Sequence, residues 1–335
     1  MVRADDITQE QWESCNPVNK RWVGEFLENS PQLSPKTLKQ YTSALKIFFY
    51  WIKVNCGDKD VTQIKSRDYL LYQNGLARRG VSDSGMKMKR SAISSLNEYI
   101  MLYYQDDYPF FRNFITKQIK VPTTGFVHKK EPLDPTEYNM LCEKLEELEE
   151  WQKVAYLKFS YSTGCRRAEA MQLLKEVVAY VPIVKVMKSK TPDGEEMEVE
   201  SRSYKTHDIR CKGKGQVGNI RKLQFSEEAM EAIKKWISVR GEDSCPYVFV
   251  TRQGLEYGQV SDSTFNLWCN ELFSEIVGRR VHPHLFRESR ATNLVISEGR
   301  DIKVAQKLLG HKSSTTTENH YVIRKDTDDS DEAFI

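Results

Sequence analysis

No stretch of this 335-residue chain approaches the roughly 20 consecutive apolar residues that crossing a bilayer requires. The most apolar segments, residues 45–54 and 177–187, are interrupted by Lys46 and Lys53 and by Pro182 and Lys185. A membrane partner is therefore not expected. The opening Met1-Val-Arg-Ala-Asp-Asp lacks the apolar core of a secretory signal. There is no Cys-x-x-Cys pair, and an odd seven cysteines at irregular spacing make neither a disulfide framework nor a zinc site. Free thiols in a reducing cytoplasm are expected instead. No Gly-x-x-x-x-Gly-Lys-Ser/Thr loop is present to cradle a nucleotide. Internal repeats and low-complexity segments are also missing. Even net charge is scarce: 50 Lys and Arg against 47 Asp and Glu leave +3, which names no partner.

What is present is material for two folded domains, by length and by a 39% apolar content. The charge, although balanced overall, is unevenly spread. Over residues 31–130, seventeen Lys and Arg stand against seven Asp and Glu, a local net of +10. The compensating acids lie at 143–150, at 193–200 and in the tail after residue 325. A basic segment with interleaved Tyr, Phe and Trp suits a phosphate backbone, and a solvated lysine-rich surface is the plain alternative. Lys36, Lys39, Lys87, Lys89 and Arg90 are the candidate DNA contacts.

Residues 1–30 read as a short helical extension. Ser34 and Pro35 then form an N-cap with proline at the first helical position, and Leu38, Tyr41, Leu45, Phe48 and Ile52 continue one apolar stripe. Further helices are expected over 62–75 and from Ser82 through Tyr103. This helical domain ends near Lys120, and 121–130 has linker composition. A second domain restarts at Asp134-Pro135-Thr136-Glu137, an N-cap signature. Helices to about Tyr161, a strand over 177–187, a turn at 191–194 and a hairpin over 208–225 follow. Helices at 226–239, 263–277, 283–297, 301–309 and 315–323 complete it, before an acidic tail at 326–335.

Four segments of the second half carry polar residues that core-building does not explain. The first is Thr163-Gly164-Cys165-Arg166-Arg167-Ala168-Glu169, where an arginine in a helix-to-helix turn could clamp an oxyanion or simply face solvent. The second is Gly213-Lys214-Gly215 in the hairpin, followed by Arg221-Lys222. The third, His282-Pro283-His284-Leu285-Phe286-Arg287, sets a histidine and an arginine three apart at a helix N-terminus, where the dipole favours an anion. The fourth is Leu309-Gly310-His311, with Tyr321 ten residues beyond His311. A buried core tyrosine is the ordinary reading of Tyr321 taken alone.

In this order the segments resemble the tyrosine recombinase (phage integrase) family, near its Xer and phage-integrase branch. Over 133–323 the succession of Arg, hairpin Lys, His-x-x-Arg, His and Tyr is complete, and Ser34-Pro35-Lys36-Thr37-Leu38 is similar to the start of a core-binding domain. Family spacing selects Arg166 over Arg167, and His284 over His282. Glu288 and Arg290 replace residues common in relatives, at positions that are not catalytic ones. The resemblance implies a mainly α fold with a small β-sheet. It comprises an N-terminal helical, SAM-like core-binding domain at 31–120 and a mixed α/β catalytic domain at 131–325.

It also implies a chemistry. Tyr321 would attack the scissile phosphate of double-stranded DNA, forming a 3′-phosphotyrosyl link and releasing a 5′-hydroxyl. Arg166 and Arg287 would bracket the non-bridging oxygens, and Lys214 would protonate the leaving oxygen. His284 and His311 would bind the phosphate and help deprotonate the tyrosine, while Glu169 would orient Arg166. No cofactor is needed, because the covalent link conserves the phosphodiester energy, and no metal is implied, because the histidines stand with arginines whose charge disfavours a divalent ion. A homotetramer on DNA, a possible accessory DNA-bending protein and a cytoplasmic, nucleoid-associated location complete the expectation. Integration or excision of a viral or other mobile element leads, with Xer-type dimer resolution or a non-catalytic DNA-binding regulator as alternatives.

Overall fold

Side-chain caps start most of the longer helices. In the computed structural model, which describes residues 6–122, 131–190, 196–213 and 218–310, Thr8 caps α1 (Gln9–Glu13) and Asn16 caps α2 (Pro17–Glu28). Ser34 accepts from the Thr37 N–H to open α3 (Pro35–Cys56), which ends at Gly57 with φ +69°. After α4 (Ser66–Arg78), Ser82 caps α5 (Asp83–Tyr103). The chain divides into two compact units, one built on 6–122 and the other on 131–212 and 218–310. The core of the first joins Trp22, Phe48, Phe49, Tyr69, Tyr72, Ile93 and Leu96. The lead-in segment takes part in it. Trp12, Cys15, Trp22, Val23 and Phe26 are all buried there, and the Trp22 ring meets Tyr104 edge-on at 4.6 Å.

The second unit is arranged around one buried helix. Asp134 and Glu137 form a reciprocal capping box at the head of α6 (Pro135–Glu147), and α7 (Trp151–Thr163) follows. Val154, Ala155, Tyr156, Leu157 and Phe159 of α7 are buried, and the Tyr156 ring stacks on Phe265 at 4.0 Å. A short α8 (Arg167–Ala170) leads into a 3₁₀ turn at Lys175–Ala179. The strand expected from Val177 begins only at Ile183, because Val177 is a buried residue of that turn and Pro182 has no N–H to pair. β1 (Ile183–Lys190), β2 (Glu196–Lys205) and β5 (Gln224–Ser226) make an antiparallel sheet in the order β1-β2-β5, with Tyr204 opposite Phe225.

Between β2 and β5 lies a separate two-stranded ladder, β3 (Ile209–Cys211) with β4 (Asn219–Arg221), as expected for the hairpin. The helix α9 (Glu227–Arg240) precedes a second hairpin, β6 (Val250–Gln253) and β7 (Glu256–Gln259), turning at Gly254 with φ +65°. This hairpin was not expected. The unit finishes with α10 (Asp262–Trp268), a π turn at Cys269–Phe273, α11 (Ser274–Val277) and α12 (Pro283–Thr292). A second π turn at Asn293–Ser297 leads to α13 (Ile302–Leu309). The turn at 191–194, most of the linker, the helix over 315–323 and the acidic tail lie outside the described residues. All seven thiols are free, and no described helix is long and apolar enough to cross a membrane.

Candidate active site

Gly164 closes α7 in the left-handed region at φ +57°, and a Cβ there would stand 2.6 Å from Leu309 Cδ2. Glycine is therefore required twice, for the backbone angle and for the close approach of α13. Two residues on, Arg166 becomes the N-cap of α8 and Glu169 folds back onto it. The Glu169 carboxylate accepts the Arg166 backbone N–H at 3.0 Å and its Nη1 at 2.9 Å. Glu169 is only 2% exposed, whereas Arg166 keeps 27% of its side chain accessible. Burial pushes the Glu169 carboxyl up. The Arg166 N–H and the charges of Arg166 and Arg221 outweigh it, so the carboxyl stays below the usual carboxylate range.

Arg287, on α12, is completely buried. Its Nη1 donates to the Gly164 carbonyl and its Nη2 to the Leu309 carbonyl, the latter at 2.7 Å. These carbonyls belong to the C-terminal ends of α7 and α13, which have no partner within their own helices and carry the negative end of the dipole. One guanidinium thus joins the segment entering Arg166 to the segment entering His311. It occupies the interior under the turn rather than the accessible surface beside Arg166.

His282 caps α12, its ring Nδ1 accepting the Leu285 N–H at 3.1 Å. His284 stands in the first turn with 45% of its side chain exposed and its Nε2 4.0 Å from Glu288 Oε1. The two histidines that competed in the sequence are separated by position: one closes a helix end, the other faces out. Arg290 pairs with Glu298. Lys214, His311 and Tyr321 lie outside the described residues, although the strands flanking Lys214 and the helix preceding His311 lie within them.

One residue to which the sequence assigned no part enters the cluster. Arg221, at the end of β4, donates from Nη1 to the Leu308 carbonyl at 2.8 Å and from Nε to Cys211 Sγ at 3.3 Å. Its Nη2 is 3.6 Å from Glu169 Oε2. The available signal was its position, since Arg221-Lys222 closes the hairpin that follows the Gly-Lys-Gly loop.

In the helical unit, Lys36, Lys39 and Lys87 are exposed, but Lys89 is 7% exposed. It follows Met86 by three residues and precedes Ile93 by four, which puts it on the core face of α5. Its burial holds the ammonium below its ordinary pKa. Arg90 donates to the carbonyls of Ile119 and Thr116, the second at 2.8 Å, and so fastens the segment after α5. Of the five candidate DNA contacts, three belong to the open surface.

Comparison with known proteins identifies the family and the fold. Residues 131–327 match the model of the phage integrase family, and residues 23–103 match that of the phage integrase N-terminal SAM-like domain. The SPbeta prophage-derived recombinase-like protein YomM of Bacillus subtilis (strain 168) is 31% identical, over 100% of this chain and 96% of its own length. Tyrosine recombinase XerC of Bacillus licheniformis is 25% identical over 90% of each. Among solved structures, the Tn1549 transposon integrase in complex with transposon right end DNA superimposes with a TM-score of 0.62 at 16% identity, covering 95% of this chain and 98% of that one.

Proposed function

The chain belongs to the phage integrase family of tyrosine recombinases, and we propose that it integrates and excises a viral or other mobile element by cutting and rejoining double-stranded DNA. The observation that carries this reading is the buried fork of Arg287, which ties the Arg166 turn to the end of α13 just before His311. Arg287 and the turn that carries Arg166, far apart in sequence and both named by the family order, thereby meet at the end of α13.

In the proposed reaction, the Tyr321 hydroxyl gives up its proton and its oxygen forms a bond to phosphorus. The bond from phosphorus to the 5′ oxygen breaks, and Lys214 supplies the proton that oxygen needs. Arg166, accessible and oriented by Glu169, takes a non-bridging oxygen. Arg287 adds a fixed buried charge behind it, in a place that needs no reorganisation as charge develops. His284 and His311 hydrogen-bond the phosphate, and one of the two takes the proton that Tyr321 gives up. Residues 31–120 act as the core-binding domain, with Lys36, Lys39 and Lys87 on DNA phosphates, and 121–130 links it to the catalytic domain at 131–325. Strand exchange joins two duplexes, so four protomers assemble on them, with an accessory DNA-bending protein where the site demands it. The working compartment is the cytoplasm, on the nucleoid.

The test is a nicked duplex whose short cleaved strand diffuses away, carrying a site selected from a randomised duplex pool by non-covalent retention on the protein. The wild-type chain should accumulate a denaturant-resistant protein–DNA adduct, and Tyr321→Phe should form none. An adduct from Tyr321→Phe would sink the mechanism, and none from either protein would favour a non-catalytic regulator. Dimer resolution by the same chemistry is the second reading, favoured by the likeness to XerC. Conversion of a plasmid dimer bearing two identical sites into monomers would support it.

A further inference from the structure

The β3–β4 ladder consists of three residue pairs, Ile209 with Arg221, Arg210 with Ile220 and Cys211 with Asn219. A two-stranded hairpin that short is marginal on its own and takes its position from whatever braces it. The main brace is Arg221. Its guanidinium reaches the α13 carbonyl of Leu308, the Cys211 sulfur across its own hairpin and, at ion-pair distance, the buried carboxylate of Glu169. The same group lies flat against Gly310, where a Cβ would stand 2.7 Å from Nη1. A second brace comes from Gln172, just after α8. Its side chain donates to the Arg210 carbonyl at 2.9 Å and accepts the Arg210 N–H at 3.0 Å.

These contacts converge from separate elements on the base of one hairpin, and that hairpin carries Lys214. We propose that Arg221 is a positioning residue: it anchors the β3–β4 hairpin to the Arg166–Glu169 pair and to the end of α13, so that Lys214 delivers its proton to the departing 5′ oxygen. The inference rests on the reading of Lys214 as the general acid. Three acceptors spread around a planar fork suit arginine, and a lysine ammonium could satisfy only part of them.

The experiment separates the anchor from the acid. The nicked duplex is prepared in two forms, one with the natural 5′ oxygen at the scissile bond and one with sulfur in its place. A thiolate leaves without needing a proton, since a thiol has a pKa of about 8.5. Lys214→Ala should cut the oxygen substrate slower by about 10²–10⁴-fold, the usual worth of a general acid, and the sulfur substrate at close to the wild-type rate. Arg221→Gln should show the same pattern at smaller scale, roughly 10–100-fold on oxygen and little on sulfur, with DNA affinity unchanged. Arg221→Lys should fall between Arg221→Gln and the wild type.

If sulfur restores Lys214→Ala but not Arg221→Gln, the anchoring role is wrong and the acid assignment survives. If sulfur restores neither, the acid assignment fails and the anchor falls with it. Gln172→Ala provides a second variant should Arg221→Gln fail to fold. It removes only the side brace, and it should give a milder defect with the same sulfur sensitivity. An equal defect on both substrates would count against the proposal.

Discussion

Arg287 should matter to the folded state before it matters to chemistry. Two of its N–H groups donate to backbone carbonyls in a site with no exposure, and hydrogen bonds involving a charged partner contribute about 1.5–3 kcal/mol each. Arg287→Leu removes both and leaves two helix-end carbonyls buried, while sparing the cost of burying a guanidinium. A buried carbonyl left without a donor costs about 1–3 kcal/mol, so the two together should cost about 3–5 kcal/mol of stability. For a unit of this size each kcal/mol moves the melting temperature by about 2–4 °C, so a drop of about 6–20 °C is expected. Arg287→Lys keeps the charge but can reach only one carbonyl, and should fall about half as far. Scanning calorimetry of the full chain provides the measurement, with His284→Ala as the exposed control, expected within about 0.5 kcal/mol of wild type. If Arg287→Leu melts with the control, the guanidinium does not hold the two helix ends together, and the observation underlying the proposed function loses its force.

Other consequences are more local. The fold holds the Glu169 carboxyl below the usual carboxylate range, so its contribution to stability is fully present above that range and lost as pH falls through the lowered value. Glu169→Gln should therefore flatten the acid limb of a stability–pH curve, and an unchanged limb would contradict the Arg166 pairing. Neutralising Lys36, Lys39 and Lys87 to Gln should reduce the slope of log affinity against log salt by about 0.9 for each phosphate no longer neutralised. Lys89→Met should leave that slope alone and keep or raise the melting temperature, because burial already disfavours its charge; a steep fall in affinity would show that Lys89 does reach DNA. Gly310→Ala meets both a φ of +67° and the Arg221 guanidinium, and should cost about 1–3 kcal/mol in a denaturant melt.

The parts of the fold legible in the sequence are those whose cause is local. Ser34-Pro35, Ser82-Asp83 and Asp134-Pro135 announce their helices because a cap needs only the next three residues. The β6–β7 hairpin was also local, with Gly254 between Thr251 and Tyr257, but its strands, Val250–Gln253 and Glu256–Gln259, hold too few apolar residues for an alternation to stand out. Lys89 was misleading for a different reason: its residue type says surface, while its spacing from Met86 and Ile93 says core, and spacing decides which way a helical side chain points.

The candidate site divides along the same line. Its residue types were readable as an ordered set, yet the contacts that assemble it were not. Arg287 meets Gly164 across 123 positions and Leu309 across 22, and what it grips in both cases is a backbone carbonyl. Every residue has that carbonyl, so no side-chain pattern can mark which ones will be used. Gly164 and Gly310 were visible as helix-ending glycines. That each also leaves room for a neighbour, Leu309 in one case and Arg221 in the other, follows only from the packing of α13. The motif glycines therefore carry two constraints, one written in the backbone angle and one in the tertiary approach, and only the first can be inferred from the chain itself.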